Sequence, residues 1–136
     1  MDFKHNENQV DVNFLQEFSD AWNNHDVDAL MTFMADDCVF HTAGGDGELG
    51  VSFQGKESVR ESFAAVWKNF PDVAWKDPVH FVCGDRAVSE STFTATNPDG
   101  SRIEARMVDV FTLKGGKILV KNAYRKNRPA IQPSQN

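Results

Sequence analysis

The sequence predicts an α+β domain in which three helices pack into the hollow of one curved antiparallel sheet. Three observations carry that reading. Helix-like stripes come first along the chain. Everything after Pro71 is strand and tight turn. Eleven Phe and three Trp against one Tyr require a deep interior, either a thick core or a lined cavity.

The first stripe is Phe14, Leu15, Phe18, Ala21 and Trp22, spaced by three and four, which lays one apolar face along a helix from Val12 to Trp22. Asn23, Asn24 and His25 end it, and Asp26 caps a short second helix carrying Val27, Leu30, Met31, Phe33 and Met34. Cys38 to Thr42 reads as a strand. Ala43 to Gly50, with four glycines, is expected to be a mobile loop, serving either as a lid over a pocket or as a plain connector. A short strand follows around Val51 to Phe53. Gly55 precedes the third helix, whose stripe is Val59, Phe63, Val66, Trp67 and Phe70, and Pro71 stops it.

Val73 to Val82, Arg86 to Thr96, Ser101 to Leu113 and Lys117 to Arg125 form the meander, separated by glycine-containing turns. A three-residue loop with glycine last places Ser89 opposite Asp109, Ser91 opposite Met107 and Phe93 opposite Ala105. The same rule places Asp109 opposite Lys121, Phe111 opposite Leu119 and Met107 opposite Ala123. One face thus carries Ser89, Ser91, Phe93, Met107, Asp109, Phe111 and Lys121. The other carries Val88, Glu90, Thr92, Thr94, Glu104, Arg106, Val108, Val110, Ile118 and Val120. That β-branched face is larger than water normally tolerates, so a homodimer with sheets back to back is expected.

The 136 residues fit one domain, read as an N-terminal extension 1–11, a body 12–126 and a tail 127–136. Fourteen basic and twenty acidic side chains leave a charge of −6, which argues against nucleic acid as a partner. Lys121, Arg125, Lys126 and Arg128 read as a solvated terminus. Cys38 and Cys83 read as buried thiols, and the four histidines have no partners at ligand spacing, so no metal and no cofactor are expected. The first thirteen residues lack the apolar run of a signal peptide and no window is long and apolar enough for a membrane span, so a cytoplasmic protein is expected.

The strings Asn23-Asn24-His25-Asp26, Ala35-Asp36-Asp37-Cys38-Val39-Phe40, Gly55-Lys56-Glu57-Ser58-Val59 and Val108-Asp109-Val110-Phe111, followed by Gly116-Lys117-Ile118, resemble in order and spacing the SnoaL-like and ketosteroid-isomerase-like branch of the nuclear-transport-factor-2-like superfamily. The resemblance implies a cone-shaped, cystatin-like α+β roll, a dimer, and a pocket between sheet and helices for a small hydrophobic molecule. It also implies roles. Asp109 matches the aspartic acid that ketosteroid isomerases keep protonated. Thr42 stands where their base would be, and Phe18 stands where their oxyanion tyrosine would be. Ala123 stands at the acid/base position of SnoaL-type cyclases, with Asp109 and Lys121 at their pocket histidines. Neither catalytic set is intact.

Two functions remain open from the sequence. One is an enzyme of isomerase, lyase or hydrolase type acting by acid/base chemistry on an apolar carbonyl compound, with Asp109 and Lys121 as catalytic groups. Phe18, Trp22, Phe40, Thr42, Phe63, Trp67, Ser89, Ser91, Phe93, Met107 and Phe111 would then surround the substrate. The other is a non-catalytic binding module. Beside Met107 and Phe111 the Asp109 carboxyl should lose hydration, which disfavours its charged form. If Lys121 reaches it, the two form an electrostatic clamp; if not, Asp109 can be neutral and donate, and a pair that merely satisfies itself is the third case. His41 is either an outward-facing residue or a pocket base. Tyr124 is a further ligand-orienting candidate, and His25 reads as structural.

Overall fold

The computed structural model describes residues 10–133, so most of the N-terminal extension and the last three residues of the tail lie outside the described residues. The helices are α1 (Val12–Asn23), α2 (Val27–Thr32) and α3 (Lys56–Asn69). The strands are β1 (Met34–His41), β2 (Ser52–Gln54), β3 (Ala74–Cys83), β4 (Arg86–Thr96), β5 (Arg102–Lys114) and β6 (Lys117–Arg125). The caps explain the helix starts: the Asp11 carboxylate accepts from the Phe14 N–H at 2.8 Å, and Asp26 accepts from Ala29 at 3.0 Å. At the end of α3, Phe70 leaves the helical region because Pro71 follows it.

The strands form one six-stranded sheet in the order β2-β1-β6-β5-β4-β3. The expected all-antiparallel sheet is corrected at one pairing. β1 runs parallel to β6, because the chain must pass through α3 and the whole meander before β6 returns to its side. The α+β roll itself is as expected, with Leu15, Leu30, Met34, Cys38, Val59, Phe63, Phe111 and Ile118 filling the space between the helices and the concave face. β1 also starts earlier than expected: Met34 pairs with Ile118, and an irregularity before Val39 leaves Asp36 and Asp37 exposed.

The β4–β5 register is the expected one, Ser89 against Asp109, Ser91 against Met107 and Phe93 against Ala105. The β5–β6 register is shifted by two residues in the site. Gly115 and Gly116, with φ of 60° and 77°, form a two-residue turn closed by Lys114 and Lys117, and Leu119 is the extra residue of a bulge. Asp109 therefore lies opposite Ala123, and Lys121 lies opposite Phe111. A two-residue slip preserves the faces, so Lys121 still points inward. The bulge does change faces below it: Ile118, expected outside, is fully buried in the core.

Thr94 is also buried, its hydroxyl donating to the Ala74 carbonyl at 3.4 Å. Cys83, expected to be buried, is exposed, whereas Cys38 is enclosed and its thiol is pushed up by burial. No helix among the described residues is long and apolar enough to cross a membrane.

Candidate functional site

Two cavities meet inside the roll. The larger, about 290 Å³, lies between α3 and the concave sheet, with Phe40, Phe93, Met107 and Ala123 on its sheet side and Ala65, Val66 and Phe70 on its helix side. The smaller, about 20 Å³, is lined by Phe18, Ser89, Ser91, Asp109 and Phe111. Trp22, Trp75 and Lys121 border both. Two open clefts of about 300 and 560 Å³ lie elsewhere. One runs along the outer sheet face beside Glu90, Val108 and Tyr124; the other lies under the segment 127–130.

Lys121 is the charged group that borders both cavities. Its Nζ donates to Asp109 Oδ1 at 3.0 Å, with side chains only 6% and 14% exposed. The closed pair is reached diagonally across the shifted register. The ammonium also lies 4.7 Å from the Phe40 ring centre, 5.2 Å from Trp22 and 5.8 Å from Phe63. Aromatic faces offset part of the hydration lost on burial, an attraction worth about 2 kcal/mol or more at a desolvated site. Asp109 approaches from the small cavity and does not line the large one, so the large cavity meets the cation rather than the carboxylate.

Trp22 organises the wall. Its ring packs against Phe63 at 4.7 Å, Trp75 at 4.9 Å and Trp67 at 5.4 Å, and its indole N–H is buried without a hydrogen-bond partner among the described residues. Phe63 and Trp67, expected to contact the ligand, stand behind this wall. Phe63 is fully buried against Trp22 and Phe40, and Trp67 donates to the Trp22 carbonyl at 3.2 Å while stacking on His25. α3 instead presents the neighbouring positions Ser62, Ala65, Val66 and Asn69 to the cavity.

Thr42 does line the mouth, but its hydroxyl is engaged, donating to the Gly44 carbonyl at 2.7 Å and accepting from the Val51 N–H at 3.0 Å. The glycine-rich loop closes on itself through these bonds, and Ala43 and Gly44 border the large cavity. Gly50 is required there: at φ of 73°, a Cβ would lie 2.3 Å from the Thr42 carbonyl oxygen. His41 faces outward, its Nδ1 2.7 Å from Ser52 Oγ, and lines neither inner cavity. Tyr124 is exposed on the outer face.

Two residues outside the expected set also reach the site: His80, and Arg125, which the sequence reads as part of a solvated terminus. His80 faces inward from β3. Gln16 Nε2 donates to Asp20 Oδ1 at 3.0 Å, which turns its Oε1 toward His80 Nε2, also at 3.0 Å. Nε2 therefore carries the proton, leaving Nδ1 to accept from the Ser89 hydroxyl at 2.7 Å. Burial holds the His80 pKa below its ordinary value, with Asp20 opposing. The depressed folded-state pKa makes stability fall as pH drops below about 6.5, where the unfolded chain takes up a proton that the native imidazole resists. Urea unfolding from pH 7.5 to 5 is expected to show a steeper loss in the wild type than in His80→Asn. Equal slopes would contradict this assignment.

Arg125 projects from β6 on the same face as Lys121, its guanidinium carbon 4.5 Å from the Phe93 ring centre. Burial lowers its pKa, and among the described residues no carboxylate forms an ion pair with it. Lys126 and Arg128 are both exposed, as expected of a solvated terminus, and Arg128 also donates to the Glu104 carbonyl at 2.8 Å. No group of three or more His, Cys, Asp or Glu side chains gathers as a metal site among the described residues.

Comparison with known proteins places the fold. Solved structures of similar fold include a candidate polyketide cyclase from Pseudomonas putida, 18% identical, covering 81% of this chain and 86% of its own, with a TM-score of 0.70. Another is a protein of unknown function with a cystatin-like fold from Xanthomonas campestris, 15% identical, covering 85% and 90%, with a TM-score of 0.74. A third is TerC co-crystallized with polyporic acid, 21% identical, covering 82% and 88%, with a TM-score of 0.70. A search of curated proteins found no significant match. The model of the SnoaL-like domain family matches residues 15–120, most of the folded body, and the chain belongs to that family.

Proposed function

We propose that this chain is a cofactor-independent enzyme that binds a small apolar carbonyl compound in the 290 Å³ cavity and stabilises negative charge developing on its oxygen. The observation that carries this reading is the Lys121 ammonium, ringed by Trp22, Phe40 and Phe63, on a side chain that borders that cavity. A fixed cation where water is scarce lowers the energy of an enolate or tetrahedral oxyanion without reorganising first. Asp109 acts as a positioning residue by holding the ammonium in place. Ser89 and Ser91 supply polar contacts at the back.

A second reading, the binding module, is favoured by one specific feature: among the described residues no imidazole or carboxylate lines the large cavity, which leaves the substrate or water as the source of a general base. Proton exchange distinguishes the two. Incubated in D2O with 2-tetralone, the wild type is expected to exchange the α-protons faster than buffer does, as read by NMR, and Asp109→Asn is expected to lose about tenfold to a hundredfold of that rate. Exchange at the buffer rate together with tight binding selects the module.

The chain is further proposed to pair through its outer sheet face. Phe81, Val79 and Tyr124 are 58%, 48% and 51% exposed there, next to Val88, Val108 and Val110. Light scattering should give a dimer mass for the wild type and a monomer mass for Phe81→Lys; a monomeric wild type refutes the pairing.

A further inference from the structure

The protein is acidic overall, yet among the described residues the charged side chains on the wall of its large cavity are both cations, Lys121 and Arg125. They extend from one face of β6 with only Ala123 between them on that face, so their Cα atoms lie about 13 Å apart at the rise of a strand. Lys121 is at the depth, 5% exposed, and Arg125 is exposed at the rim. Their environments also differ. Lys121 is already neutralised by Asp109, whereas Arg125 is held against Phe93 with no carboxylate partner among the described residues. A guanidinium seated on a ring at the cavity mouth without a carboxylate keeps its donors free for a charge-assisted, bidentate bond to a ligand anion. Between the two cations the wall is aromatic, with Trp22, Trp75, Phe40 and Phe93, a lining that suits a flat ring system.

We propose that the ligand of this cavity is an elongated aromatic acid. Its carboxylate, or an equally acidic enol, pairs with Arg125 at the rim while its rings run inward between Trp22 and Phe93 toward Lys121. This assignment rests on the proposal that the cavity binds a small molecule. It gives the two cations separate work: Arg125 holds the charge that the ligand brings, and Lys121 meets the charge that develops in the reaction.

The test uses 2-naphthoate and its neutral isostere 2-naphthamide, with binding read from the fluorescence of the tryptophans in the wall. The acid is expected to bind at least tenfold tighter than the amide. Arg125→Gln should shrink that preference to about twofold, and Arg125→Lys should retain most of it. Equal affinity for acid and amide overturns the anion assignment but leaves the ligand cavity standing, as does an unchanged preference in Arg125→Gln. Binding of neither compound overturns both the assignment and the small-molecule reading beneath it.

Discussion

Replacing Lys121 with methionine is expected to destabilise the fold by about 3–5 kcal/mol, because the Asp109 carboxylate would be left in a cavity of about 20 Å³ without its cation. Asp109→Leu should cost a similar amount by stranding the ammonium among rings. The double replacement should be less damaging than the sum of the two, since it removes both charges and leaves apolar groups of similar size. Urea unfolding of the three variants measures this coupling. An exposed pair would yield losses under about 1 kcal/mol that simply add, which is incompatible with the site described.

Phe63→Ala is expected to cost about 3–5 kcal/mol, the range for deleting a buried phenyl ring. Phe63 has no exposed surface, and its ring touches both Trp22 and Phe40, two of the three rings around the Lys121 ammonium. The loss should therefore appear twice: as a lower urea midpoint, and as changed tryptophan emission in the native state. A stability change below 1 kcal/mol would mean that α3 does not press this ring into the core.

Local rules made much of this architecture legible. The helix stripes, the Asp26 cap and the Pro71 stop each depend on neighbours within a few residues. So does the β4–β5 register, which follows from one turn. The β5–β6 register escaped because consecutive glycines allow a two-residue turn as readily as a three-residue one, and the bulge at Leu119 has no local signal. The inward side of β6 beyond the bulge, at Lys121 and Ala123, was nevertheless predictable, since a slip of two keeps the pleat, whereas Ile118 before it changed faces. The parallel β1–β6 contact joins segments some eighty residues apart, and no periodicity within either one announces it.

The site was legible in its central pair and less so in its walls. The stripe on α3 identified Phe63 and Trp67 as buried, but a stripe cannot say whether a buried ring borders the cavity or stands behind a residue that does. Trp22 is that intervening residue. His80 and Arg125 were missed for different reasons: the irregularity between Lys76 and Val79 obscures alternation along β3, and Arg125 sits among other cations that do point outward.

Side-chain NMR of protein labelled with 15N-lysine tests the account most directly. An ammonium enclosed by Trp22, Phe40 and Phe63 and bonded to Asp109 should exchange its protons slowly enough to give a signal near neutral pH, with ring-current shifts. That signal should be absent in Lys121→Met, be lost or broadened in Asp109→Asn, and move on addition of 2-naphthoate. Failure to observe any ammonium signal that Lys121→Met removes would show that this side chain is open to water, and the proposed chemistry would have no physical basis.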